Sequence, residues 1–295
     1  MMASLQHYTI IMTVEGPLFI GSGQFIGKKE YLFDPRHRQV SIPDLAKMCL
    51  FLQQRRLMNN YESFMMNKAK ERDLSSWLHN QNITDEQCRP WVAYTIDSGD
   101  AVFDERKTKG IATFVKDSYG CPYVPGSSLK GALRTVLLAS EIWKQPQRFQ
   151  NNQRRIQTAW LPDKWRKNVL KREIDQLEQD AFYTLNRDVK KPWNAVNDVL
   201  GGLRIGDSAP LSPDDLTLCQ KIDVLPDGRQ KRLPILRECI KPGTVLRFPL
   251  TIDTGLCPLS PKSLLQAAAN FVQNYDKYYL QAFSVDNILG GGNLY

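Results

Sequence analysis

Between Val124 and Trp143 the chain reads VPGSSLKGALRTVLLASEIW, two serines at the start of a helical pattern with Lys130 and Arg134 inside it. A helix start presents free backbone N–H groups and a partial positive charge. With hydroxyls and cations beside it, the chemistry on offer is anion binding, phosphate above all. Gly126 follows Pro125 into the helix, Ser127 or Ser128 is the expected N-cap, and Gly131 leaves the backbone open to close approach. Lys130 and Arg134 are four apart and share a side, expected roughly opposite the core. The same pattern also fits a capped core helix whose cations are merely solvated. Ser127 to Lys130 spells SxxK, the nucleophile spacing of penicillin-binding enzymes. Their later SxN and KTG partners do not follow it, and KTKG at Lys107 to Gly110 comes before it, so acyl transfer is set aside. No GxxxxGK[ST] phosphate loop occurs.

Other chemistries have thinner support. His7, His37 and His79 are isolated, and the six cysteines are scattered with no CxxC pair, so neither a metal site nor a cofactor is expected. Scattered thiols of this kind are expected to be reduced. Asp97, Asp100, Asp104 and Glu105 cluster in IDSGDAVFDE. Carboxylates at that density can hold a metal for RNA cleavage, which keeps a metal-dependent endoribonuclease open as the alternative to a binding protein.

The elements that must position these groups alternate between strand and helix. HYTIIMTVEG reads as a strand running into a glycine-rich loop, Gly21-Ser22-Gly23, and YLFDPRHRQVSIP reads as a hairpin turning at Asp34-Pro35. A helix is expected from Asp44 to about Leu57, with Leu45, Met48 and Leu52 on one face. WVAYTID is strand-like. In the helix after Val124, Leu129, Leu133, Val136, Leu137 and Ser140 form one apolar face. Helical insertions are expected near 59–90 and 144–191. VLGGLRIGDSAPL reads as a kinked strand, Pro226-Asp227-Gly228 marks a hairpin, KPGTVLRFPLTID turns into another strand, and a final amphipathic helix runs from Pro261 to Leu280. The spacing does not repeat as in a doubly wound sheet, so the expected class is α+β with an antiparallel sheet.

Lys and Arg total 39 against 31 Asp and Glu, for a net charge of +8, which favours acidic partners and nucleic acid first among them. No apolar run reaches the length of a membrane span, and the N-terminus lacks a secretion signal, so a cytoplasmic protein without membrane contact is expected.

VPGSSLKGALRTVLL closely resembles the central signature of the RAMP superfamily of CRISPR proteins. PLFIGSG, LRIGDS, RECIKPGTVLRFPL and the terminal ILGGG are similar, in order, to further motifs of that superfamily, so the resemblance spans almost the whole chain, 1–295. The combination is most similar to the members that cap the 3′ end of the CRISPR RNA in type III-A (Csm) effector complexes. The resemblance implies a ferredoxin-like (RRM-like) core. It implies a non-catalytic protein that binds the single-stranded 3′ portion of the crRNA, docks onto the repeating Csm backbone subunits beside the small Csm subunit, and assists crRNA 3′ maturation by recruiting host nucleases. Matched to its motifs, Gly126, Ser127, Ser128, Lys130 and Arg134 face the RNA backbone, and Gly21, Ser22 and Gly23 form the first glycine turn. Relatives insert a thumb-like hairpin in the place of residues 207–238, which carries Lys221, Arg229, Lys231, Arg232 and Arg237 here and could reach target RNA. Relatives also continue past the glycine-rich loop, whereas this sequence ends at Tyr295. Phe25, Tyr31, Phe114, Tyr119 and Tyr123 are the candidates for base stacking, although aromatic side chains more often fill cores.

Overall fold

The computed structural model describes residues 4–66, 73–99, 109–159, 170–225 and 228–280. Its first strands are β1 (Leu5–Thr13), β2 (Gly21–Ile26), β3 (Leu32–Asp34) and β4 (Gln39–Pro43). Helices α1 (Leu45–Gln54), α2 (Met58–Met66), α3 (Leu74–Asn80) and α4 (Asp85–Cys88) precede β5 (Val92–Asp97) and β6 (Gly110–Phe114). Then come α5 (Gly126–Lys144), α6 (Gln150–Ala159), α7 (Lys171–Phe182), β7 (Leu203–Ile205), β8 (Leu216–Val224), β9 (Gln230–Ile240), β10 (Val245–Asp253) and α8 (Pro261–Tyr278). They separate into two compact units. The glycines at 290–292 and the hairpin tip at Pro226 and Asp227 lie outside the described residues.

One unit holds Met1–Ile11, Pro125–Ser208 and Arg247–Tyr295. Its sheet has three strands in the order β1-β10-β7. Leu250 pairs with Ile205 and Ile252 with Leu203 in antiparallel register, while Ser4 and His7 bond to Thr254 and Thr251 at the other side of β10. Along β10 the side chains alternate, Phe248, Leu250 and Ile252 buried and Arg247 and Pro249 exposed. That period of two aims one face at the helices. Leu137 of α5, Leu264 and Ala267 of α8, and Ala181 and Phe182 of α7 close the core over Leu203, Leu250 and Ile252. The α8 start is a reciprocal cap, Ser260 bonding Ser263 N while the Ser263 side chain accepts from Ser260 N, with Pro261 inside the first turn. The strand expected from Val199 is shorter than its apolar pattern. Val199–Gly202 forms a 3₁₀ turn because the Asp198 carboxylate accepts from Leu200 N at 2.8 Å. A side chain that caps its own backbone competes with strand pairing.

The other unit holds Met12–Val124 and Ala209–Leu246. Its seven strands run in the order β2-β6-β9-β8-β5-β4-β3. The antiparallel expectation is corrected here, because β5 pairs β8, and β6 pairs β9, in parallel. Parallel neighbours need a long crossover, which the chain between these strands supplies. The hairpin at Asp34 forms as expected, with Arg36 N and His37 N donating to the Asp34 carboxylate. The insertion near 59–90 is helical, and its core is aromatic: Trp77 stacks on Phe64 at 5.4 Å and meets Tyr61 edge-on at 5.4 Å, over buried Met48, Leu52 and Leu74. Leu45, expected on the buried face of α1, is 50% exposed, while Met48 and Leu52 are buried. Among the described residues no helix is long and apolar enough to cross a membrane.

Candidate nucleic-acid interface

The helix at the centre of the sequence signature begins two or three residues earlier than a serine cap would place it. Gly126 is the first residue of α5, and neither Ser127 nor Ser128 caps it. The Gly126 N–H instead donates to Asp207 Oδ1 at 2.8 Å, so the cap arrives from the far end of LRIGDS. The expected serine N-cap is therefore corrected: a carboxylate against the helix dipole replaces it. The substitution is possible because Gly126 has no side chain. A Cβ there would run into the carbonyl oxygens of Ile205 and Gly206. Freed from capping, Ser127 and Ser128 are exposed in the first turn.

Lys130 and Arg134 do not lie opposite the core as expected. Lys130 Nζ donates to the Leu200 carbonyl at 2.8 Å. Arg134 donates from Nε to Glu178 at 2.6 Å and from NH1 to Asp198 at 2.7 Å, with its guanidinium 4.8 Å from the Phe182 ring centre. Its side chain is 21% exposed. Burial pulls the Lys130 ammonium below its ordinary pKa, while the Asp198 carboxylate opposes that shift. Both cations tie α5 to α7 and to the turn before β7. The spacing that put them on one side of the helix is correct, and of the partners covering that side Glu178 lies in the polar insertion while Asp198 and Leu200 follow it.

The Gly21-Ser22-Gly23 turn is also corrected from a loop to a bulged strand. Gly21 pairs with Phe114 and Phe25 with Ala112, and the register slips between them. Gly23 has φ +83°, a conformation that glycine enters without strain. Ser22 Oγ lies 2.6 Å from Thr113 Oγ1, so the serine that looked free for a ligand is bonded across the sheet. In the β8–β9 hairpin, Asp223 pairs with Lys231 and Ile222 with Arg232, both cations being exposed. Of the aromatic candidates, Phe25 is 55% and Tyr119 is 90% exposed, while Tyr31 and Phe114 are core residues and Tyr123 is half-buried.

The model of the RAMP superfamily matches residues 11–282. The chain belongs to the RAMP superfamily. Its sequence is 28% identical over 271 residues to "CRISPR system Cms protein Csm5" of Mycobacterium tuberculosis, covering 85% of this chain and 68% of the relative. It is 26% identical over 287 residues to the protein of the same name from Streptococcus thermophilus, covering 92% and 71%. The fold is similar to the crystal structure of Csm5 from T. onnurineus, with a TM-score of 0.63, 20% identity and coverage of 93% of this chain and 76% of that one. It is also similar to a chain of a Csm-crRNA-target RNA ternary complex of a type III-A CRISPR-Cas system, with a TM-score of 0.55, 21% identity and coverage of 83% and 64%.

Within this RAMP chain, other chemistry-bearing residues are engaged by protein partners. Glu238, in the motif ahead of PGT, is fully buried and accepts from Tyr94 OH at 2.7 Å, Phe114 N at 2.8 Å and Lys116. It pins β5, β6 and β9 together. Burial, with the Glu238 carboxylate adding to it, raises the Tyr94 phenol well above its ordinary value. Asp97 caps Gly99 N at 2.8 Å and approaches Lys241 at 4.0 Å, while Asp100, Asp104 and Glu105 lie outside the described residues. Among the described residues no three His, Cys, Asp or Glu side chains converge on a metal position. The roles of Asp207, Asp198 and Glu178 had no local signal, since each acts on a residue more than forty positions away in the chain.

Proposed function

We propose that this RAMP protein is a non-catalytic subunit of a type III-A Csm effector complex that binds the single-stranded 3′ portion of the crRNA. In that role it caps the crRNA 3′ end, docks on the repeating Csm backbone subunits and the small Csm subunit, and assists 3′ maturation by host nucleases. One observation carries the reading: similarity to proteins named Csm5 extends over 85% or more of the chain at 26–28% identity. Supporting it, the three-stranded unit runs β1, α5, α6, α7, β7, β10, α8 in the chain with β10 between β1 and β7 in the sheet, which is compatible with a ferredoxin-like core.

The guide sequence varies, so binding must rest on phosphate contacts, which carry no sequence information. The exposed Lys231 and Arg232 offer such contacts along the hairpin, in a position to reach target RNA as well. At the start of α5, exposed Ser127 and Ser128 offer hydroxyls near the positive end of the helix dipole. Gly23 leaves backbone open to close approach, whereas Gly21, Ser22 and Gly126 act through the protein neighbours they contact, and Lys130 and Arg134 act by holding the helix start in place.

The test is fluorescence anisotropy of labelled single-stranded RNAs of unrelated sequence over a salt series. The expected result is similar affinity for each RNA, with Lys231→Ala/Arg232→Ala lowering the slope of log K against log salt by about 1.4 for two lost contacts. Strong preference for one sequence, or an unchanged slope in the double variant, would overturn it.

A further inference from the structure

Arg237 carries a buried donor that is unmet among the described residues. That donor is Nε, which makes no hydrogen bond among the described residues. Its guanidinium carbon lies 4.7 Å from the centre of the Phe19 ring. Buried guanidinium donors are normally bonded, and leaving one unmet is costly. The neighbouring carboxylate, Glu238, points to the opposite face of β9 and is already engaged by Tyr94, Phe114 N and Lys116.

The surroundings hold that guanidinium over the Phe19 ring. Arg237 pairs with Ala112 on β6, and Ala112 pairs with Phe25 on β2, so Phe25, Ala112 and Arg237 form one row on one face of the sheet. Ala112 keeps the middle of the row low. Phe25 stands 55% exposed at its end. Phe19 is seated by Gly21, where a Cβ would come within 3.1 Å of its ring. Gly21 therefore makes room for the ring on which Arg237 lies. A guanidinium stacked on an aromatic ring keeps its edge donors free for the oxygens of a phosphate.

We propose that Arg237, seated on Phe19, is a phosphate clamp that grips one phosphodiester of single-stranded RNA at the base of the β8–β9 hairpin, beside Phe25 as a base-stacking surface. Lys231 lies roughly 20 Å further out along β9 at about 3.3 Å per residue, so this is a separate contact. The inference rests on the RNA-binding reading given above.

The test uses the full chain with a labelled oligouridine across a salt series, and thermal unfolding in inorganic phosphate. Arg237→Gln should weaken RNA binding about tenfold and lower the salt slope by about 0.7. Arg237→Lys, which keeps the charge and guards against a variant that fails to fold, should also weaken binding while retaining the slope, because an ammonium cannot present the planar fork. If wild-type protein binds RNA and a folded Arg237 variant binds it equally with the same slope, the clamp is overturned and the RNA reading stands. If wild-type protein binds no RNA, the RNA reading fails. Stabilisation by phosphate in wild type but not in Arg237→Gln would then keep the clamp as a site for free phosphate, and equal stabilisation would overturn it.

Discussion

Lys116, just beyond the end of β6, pairs with Glu238 of β9, whose side chain has no exposure to solvent. An ionised carboxylate reaches such a place only when its oxygens are all engaged, here by Lys116, Tyr94 OH and Phe114 N. Removing one partner strands the rest. Glu238→Ala should destabilise the protein by about 3–5 kcal/mol, measured by urea unfolding. Adding Lys116→Met to Glu238→Ala should cost much less than Lys116→Met costs alone. Strict additivity of the two losses would show that the pair is not coupled.

The network around Arg134 makes a different prediction. Its guanidinium bridges Glu178 of α7 and Asp198 before β7, so its loss should act on stability first. Arg134→Ala should lower the unfolding midpoint, and a double-mutant cycle with Asp198→Asn should give a coupling of about 0.5–3 kcal/mol. RNA affinity per folded molecule should change less than in Lys231→Ala/Arg232→Ala. A larger effect on affinity than in that double variant would return Arg134 to direct phosphate contact.

At the start of α5, glycine and aspartate have separable costs. Gly126→Ala should destabilise by about 1–3 kcal/mol, because its methyl group must push the helix off the carbonyls of Ile205 and Gly206. Asp207→Ala should cost about 1 kcal/mol through the lost cap, and Asp207→Asn less, since an amide oxygen still accepts from Gly126 N. Chemical denaturation of the three variants checks the order.

Two core tyrosines give a pH dependence. Burial pushes Tyr31 up to about 12, with Asp73 adding to the shift and a backbone hydrogen bond with Lys109 opposing it. Burial likewise pushes Tyr61 up to about 12. In the unfolded chain both return to about 10. Because the folded values are raised, their contribution to stability is complete below pH 10 and is lost as pH climbs through 12. Unfolding midpoints measured across that window should fall, and Tyr31→Phe should flatten the decline. A midpoint that stays level to pH 12 would contradict the burial of both phenols.

The elements themselves were largely legible in the chain. The turn in KPGTVLRFPLTID located β10, the Asp34-Pro35 turn located the hairpin of β3 and β4, and apolar spacing gave α5 and α8 to within a few residues. Those signals are local, written by side chains into their own backbone. The signature glycines and serines were also visible, because a motif is a string. Their partners were not. Ser22 bonds to Thr113, Gly126 to Asp207, Arg134 to Glu178 and Asp198, and Arg237 lies on Phe19, each pairing made by packing between segments far apart in the chain. Charge type and helical spacing showed that Lys130 and Arg134 share a side; only packing showed that the side is covered. For the same reason the chain marked Arg237 as one cation among many, and tertiary structure distinguished it, since a missing acceptor is a property of surroundings and not of sequence.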